Sequence, residues 1–189
     1  MEGGLHFARM EPFFILEEGI VVMSEGKPPI ADAFLQGGTF QSIPQDAILA
    51  NAKKALETAR RVLNFLSSGG AWISRGPAGE VIIKAALVYD RIVVGALEFS
   101  PIDGELLPRG YHPRVLDVKV SLEEIEKKAE DIVKGLEILG GAEYREPELS
   151  WVVPLAYDGK VVSHIKVYYD GVHIVPDYPL MQEMMANKP

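Results

Sequence analysis

Cysteine is absent from the 189-residue chain, which excludes a disulfide framework, thiolate chemistry, Cys-ligated zinc and iron–sulfur clusters. No segment approaches the ~20 apolar residues that a membrane-spanning helix needs. The opening "MEGGLHFARMEPFF" also lacks the basic start and apolar run of a secretory leader. The expectation is therefore a soluble, cytoplasmic protein with no membrane partner. Positive charge is in short supply, with 19 Lys and Arg against 27 Asp and Glu and a formal charge of −8. Nucleic-acid affinity depends on clustered cations, so no nucleic-acid partner is expected. Three asparagines and four glutamines beside 13 prolines lean toward a thermophilic source.

Motifs are missing too. The chain has no G-x-x-x-x-G-K-[ST] phosphate loop, no strand-turn-helix G-x-G-x-x-G, no G-x-S-x-G elbow and no H-E-x-x-H. The four histidines, His6, His112, His164 and His173, are scattered over the terminus, a loop and one hairpin. No metal and no cofactor are assigned, and a catalytic triad would have to be assembled by folding alone.

What is present is periodicity. Ile48, Ala52, Leu56, Ala59, Leu63 and Leu66 share one helical face, as do Leu122, Ile125, Ala129, Ile132, Leu136 and Leu139. Each set follows a capping-box pattern, "SIPQ" at Ser42 and "SLEE" at Ser121, in which the serine hydroxyl and the third-position Gln or Glu satisfy free amides reciprocally. The glycine pairs Gly69-Gly70 and Gly140-Gly141 are expected to stop these helices. Before each helix lies a candidate strand, "TFQS" at Thr39 and "VLDVKV" at Val115. After each come apolar or alternating runs separated by turn residues.

The runs resemble each other. "GEVIIKAALVYDRIVV" at residues 79–94 and "GKVVSHIKVYYDGVHI" at residues 159–174 match at Gly79/Gly159, Val81/Val161, Tyr89/Tyr169 and Asp90/Asp170, with Trp72 and Trp151 opening the preceding segments. The fold expected is α+β. It consists of an internally duplicated β-α-β-β(-β) unit whose antiparallel sheet carries both amphipathic helices on one face, plus extra N-terminal strands. The chain reads as one domain, residues 1–189. Within it lie N-terminal strands (1–38), a first repeat (39–99), a connecting loop (100–114), a second repeat (115–179) and a Met-rich tail (180–189).

In the second hairpin, a two-residue turn at Asp170-Gly171 pairs Tyr169 with Val172 and Tyr168 with His173. Alternation then places His164, Lys166, Tyr168 and His173 on a solvated face, opposite a core face of Ile165, Val167, Tyr169, Val172 and Ile174. His164 and His173 come out about 13 Å apart at the usual strand rise, too far to share a metal. The first hairpin is apolar on both faces, so both must be covered, one by the helices and the other by the N-terminal strands or a second subunit. Its register assigns Ile83, Ala85, Leu87, Tyr89, Ile92, Val94, Ala96 and Glu98 to one face. Ala85, Ala86, Gly95 and Ala96 leave little side-chain bulk at its centre, which either admits close packing of another element or leaves the floor of a pocket.

A doubled strand-helix-strand-strand unit resembles the effector-binding domains of some multidrug-responsive transcription regulators and the haem-associated SOUL proteins. The resemblance covers residues 39–179; the N-terminal strands depart from it. It implies a groove between the halves for a small apolar or cationic molecule, countered in some members by a buried carboxylate. The leading expectation is a non-enzymatic, homodimeric module that binds a small molecule near Tyr89, Ala96, Glu98 and Tyr169. An alternative is a hydrolase or isomerase using His112 with Asp103 or Glu105, on the 100–114 loop that also carries Arg109, Tyr111 and Arg114. A third is a structural subunit acting through the N-terminal strands and the tail, where Leu180, Met181, Met184 and Met185 share one side of a short helix, although docking of that helix on its own domain is the preferred reading over a subunit contact.

Overall fold

The computed structural model describes residues 13–16, 21–23 and 45–187. In chain order these form β1 (Phe13–Leu16), β2 (Val21–Met23), α1 (Gln45–Leu63), β3 (Ser67–Arg75), β4 (Val81–Tyr89), β5 (Ile92–Phe99), α2 (Leu122–Lys134), β6 (Glu137–Ile138), β7 (Gly141–Arg145), β8 (Ser150–Tyr157), β9 (Lys160–Tyr168) and α3 (Tyr178–Ala186). The class is α+β with antiparallel pairing throughout. The strand expected at Thr39, the cap expected at Ser42 and His6 lie outside the described residues.

The described strands form two sheets, which answers a question that residue pattern left open. One runs β3-β4-β5; the other runs β2-β1-β7-β8-β6, with β9 also paired to β8. Helix α1 packs on β6, β7, β8 and β9, and α2 packs on β3 and β4. Each helix thus lies over strands that are not the ones it directly precedes. Ile48, Ala52, Leu56 and Ala59 of α1 and Ile125, Ala129 and Ile132 of α2 are buried in one cluster with Trp151, Phe99 and Ile165.

The capping box of α2 is present: Ser121 Oγ accepts from the Glu124 amide and Glu124 Oε2 accepts from the Ser121 amide, both at 3.2 Å. The glycine pairs do not stop the helices. Helix α1 ends at Leu63, and α2 ends at Lys134 with Gly135 as its cap. Gly69-Gly70 instead sits inside β3, where the register with β4 shifts between Ser68 and Ala71. Gly140 falls between β6 and β7, and Gly141 opens β7; both strands pair with β8. A Cβ on Gly69 would lie 2.9 Å from Val88 Cγ2, so the strand crossing itself demands glycine. Glu126 Oε1 of α2 accepts from the Ala71 amide beside this irregularity at 2.9 Å.

Residues 115–120 are not a strand. Their backbone makes single contacts, Val81 N to Val115 O at 2.7 Å and Lys119 N to Pro101 O at 2.8 Å, rather than a ladder. The constant spacing that relates residues 79–94 to 159–174 does not relate equivalent elements. Asp90 lies in the turn joining β4 and β5, whereas Asp170 follows β9. Trp72 belongs to β3 and Trp151 to β8.

Alternation along β9 is as expected from His164 onward, with Ile165 and Val167 fully buried and Lys166 and Tyr168 on the wetter side, whereas Val162 and Ser163 before it are both buried where the register with β8 slips. Beyond Asp170 the register holds, through Tyr168 N to His173 O at 2.7 Å and an isolated bridge from Val167 to Ile174. No second strand forms there, and Val172 is exposed. The turn is occupied by α1 instead. Thr58 Oγ1 donates to Gly171 O at 2.8 Å, and a Cβ on Gly171, whose φ is +76°, would meet Asn51 O at 2.7 Å.

The first hairpin is buried on both faces. Ala71, Ile83, Ala85, Leu87, Leu97 and Phe99 join the main core, while Trp72, Ala86 and Val93 form a second cluster against Leu180, Met181 and Met184 of α3. The second cover is therefore the chain's own C-terminal helix. A salt bridge from Lys84 Nζ to Glu183 Oε2 at 2.9 Å and the bond from Asp177 N to Val93 O at 2.8 Å fasten it.

Candidate functional site

The site begins with a β-bulge. In the β4–β5 ladder Val88 pairs with Val93 but Leu87 pairs with Gly95, so Val94 is the extra residue. One residue of slip turns every later side chain of β5 to the opposite face. Leu97 and Phe99 consequently join the core, and Ala96 and Glu98 move to the α3 side, opposite Ala86 and Lys84. The regular register expected from the sequence had the assignments of these four side chains reversed.

Here the two sheets meet edge to edge without a ladder. Ser163 Oγ of β9 donates to Ala96 O of β5 at 2.7 Å, and a Cβ on Gly95 would stand 2.9 Å from His164 O. The 100–114 loop then crosses this seam. Its first turn closes on itself through the bridge from Phe99 to Leu106; Leu107 N next donates to Glu98 O and Arg109 N to Val161 O, both at 2.8 Å. Those two bonds carry the loop from β5 to β9 and bring Arg109 and His112 over the seam.

The result is a groove of about 300 Å³ lined by Ala96, Glu98, Arg109, Gly110, His112, Val162, Ser163, His164, Asp177 and Leu180. A second depression of about 300 Å³ shares Glu98 and His112 and continues to Ser74, Arg75, Glu80 and Lys84. Glu98 and His112 stand on the divide between them.

Lys84, the cross-strand neighbour of Glu98, gives its ammonium to Glu183 instead. Among the described residues the half-buried Glu98 carboxylate makes no hydrogen bond or ion pair. The Arg109 guanidinium is likewise in no hydrogen bond or ion pair among them. Partial burial and the neighbouring Arg145 hold its pKa below the usual arginine value, against the opposing pull of Glu98, Glu143 and Asp177. Arg145 is itself tied to Glu143 at 3.2 Å and Glu148 at 3.5 Å. Asp177 caps α3 by accepting from Leu180 N at 3.1 Å. His164 Nδ1 is shut off from solvent and has no hydrogen-bond partner among the described residues.

Of the residues singled out from the sequence, Ala96, Glu98 and His112 are brought together in this groove. Tyr89 and Tyr169 are not; both pack half-buried against the main core, and Tyr169 lies against the Tyr168 ring at 4.6 Å. Asp103 and Glu105 are separated from His112 because the Phe99–Leu106 bridge confines them to the first turn of the loop. Asp103 Oδ1 accepts from the Glu105 amide at 3.0 Å, and the Ser100 hydroxyl with that amide holds the Asp103 carboxyl below its usual range. Asp103 lines a different depression, with Val120, Ile125 and Lys128. His173 is engaged by Asp170 and does not approach the groove.

Arg109 was legible only as a member of a polar loop, and His164 only as part of a wet strand face. The signal for both was Gly95, a glycine inside an apolar strand, which marks a bulge or a close backbone approach and here marks both. Among the described residues no three His, Asp or Glu side chains are grouped to hold a metal ion, and no helix is long and apolar enough to cross a membrane. The chain matches no protein-family profile, no curated protein and no solved structure.

Proposed function

We propose that the protein is a small-molecule-binding module whose ligand lies in the groove between β5 and β9 and is anchored by Glu98. The observation that carries this reading is the Glu98 carboxylate, half-buried on a floor of small side chains, with its natural counter-charge Lys84 committed to Glu183. Removing a carboxylate from water without a partner costs free energy that a ligand cation or hydrogen-bond donor recovers.

The same reading takes the two halves as copies of one unit. Each has a helix, then strand structure with an irregularity at a glycine pair (a register shift within β3, the break between β6 and β7), a long strand, a two-residue turn led by aspartate and a last strand. Asp90-Arg91 and Asp158-Gly159 both have two positive φ angles, the pattern of a type I′ hairpin turn. On this reading the third strands, β5 and β9, form the seam between the copies, and the resemblance to effector-binding domains would put a ligand there. The module is taken to act as a cytoplasmic homodimer.

Thermal melting of the wild type and Glu98→Gln against a panel of small amines tests the function. A ligand at one hundred times its Kd adds about 2.7 kcal/mol of stability, so a binding amine raises the melting temperature of the wild type and does little for Glu98→Gln. Equal shifts in both proteins, or none in either, would remove Glu98 from the account.

A further inference from the structure

We infer that the ligand of this groove is a small zwitterion, an amino acid that presents its ammonium to Glu98 and its carboxylate to Arg109. The inference rests on the binding reading above and narrows it. Of the three charged side chains that line the groove, Glu98, Arg109 and Asp177, the oppositely charged Glu98 and Arg109 are, among the described residues, in no side-chain hydrogen bond or ion pair. They act on each other through space, yet they do not meet, so a gap remains between them.

The neighbouring counter-charges are already committed. Lys84 is held by Glu183, Arg145 by Glu143 and Glu148, and the Asp177 carboxylate by the first turn of α3. A ligand bearing only positive charge would satisfy Glu98 and set its cation beside Arg109, which would keep only the through-space pull of Glu143 and Asp177. One bearing only negative charge would do the reverse. A zwitterion pairs with both, and charge-assisted hydrogen bonds of this kind are about twice as strong as neutral ones. Arginine also offers a planar fork that matches a carboxylate. Between the charges, Ala96, Val162 and Leu180 supply an apolar wall for the methylene groups that join the two ends of such a ligand. The volume, about 300 Å³, lies at the small end of ligand pockets.

Isothermal titration calorimetry at low salt on the full-length protein provides the test. The probes are the unbranched α-, β-, γ-, δ- and ε-amino acids, the amide and the N-acetyl derivative of each, and simple alkylammonium ions. The expected result is one preferred length in the series, at least about tenfold tighter than its own amide and its own N-acetyl form, which corresponds to about 1.4 kcal/mol per lost charge. Glu98→Gln should abolish the penalty for N-acetylation, and Arg109→Gln the penalty for amidation. Because the two derivatives remove the charges from the ligand side, the result does not depend on either variant folding. Amides or alkylammonium ions that bind as tightly as the free amino acids would overturn the zwitterion while leaving a cation-binding groove. Failure of every probe, amines included, would overturn both.

Discussion

Ser163 of β9 donates its hydroxyl to the carbonyl of Ala96 in β5 at 2.7 Å, so a single side chain closes the seam between two sheets that share no ladder. Beside it Gly95 allows the His164 carbonyl to come within 2.9 Å of where a Cβ would stand. The groove owes its floor to this joint.

Ser163→Ala should therefore cost roughly 1–3 kcal/mol, because the Ala96 carbonyl keeps its burial and loses its donor. Gly95→Ala should also destabilise, by forcing the two backbones apart. Urea melts of the two variants and their combination give the check. The residues share one joint, so the double variant should depart from the sum of the singles by at least about 0.5 kcal/mol. Simple additivity would mean that the seam is not a single unit.

Acid should loosen α3 before it unfolds the rest. Burial raises the Glu183 carboxyl, but the Ser74 hydroxyl and the Lys84 ammonium outweigh that and leave its pKa below the ordinary 4.5. A group depressed in the folded state contributes stability that is full above its unfolded value and is lost as the pH falls through its folded one. Glu183→Gln should accordingly be less stable than the wild type at neutral pH, with the difference shrinking as the pH falls below about 4.5. A difference that persisted unchanged into acid would remove the ion pair as its cause.

Trp72 is fully buried beneath α3, as is Trp151 in the main core. Ending the chain at Pro176 should bare Trp72 alone, shifting part of the tryptophan emission to the red. If the Met-rich helix serves assembly instead, truncation would change the native mass and leave the emission in place. The side-chain cluster of Leu180, Met181 and Met184 against Ala86 and Val93 favours the first outcome.

Much of this architecture can be read from residue pattern. The cap at Ser121, the apolar helix faces as far as Leu63 and Ile132, the alternation through Ile165 and Val167 and the two-sided burial of the first hairpin all follow from local rules that tertiary contacts do not override, whereas Leu66, Leu136 and Leu139 lie past the helix ends and Leu139 is exposed. The bulge at Val94 is different. It inserts one residue into a ladder whose two faces are both apolar, so hydrophobic periodicity cannot register the slip. Glu98 was nevertheless identified as a candidate, as a carboxylate on the same face as Ala96 beside the small-residue centre, although that face was misassigned. The partners it acquires, Arg109 and His164, come from a loop and a strand whose approach depends on the seam. Likewise, the apolar faces of α1 and α2 show that they pack, but only the folded chain shows that α1 covers β6–β9 and α2 covers β3 and β4.

The central claim is that the groove at Glu98 holds a small molecule. Native mass spectrometry of the protein as purified, run beside Glu98→Gln, tests it most directly. The account predicts a non-protein mass on the wild type, small enough for the groove, that is lost or much reduced in the variant. A wild type with no added mass that also fails to take up any amine or amino acid supplied to it would contradict the claim.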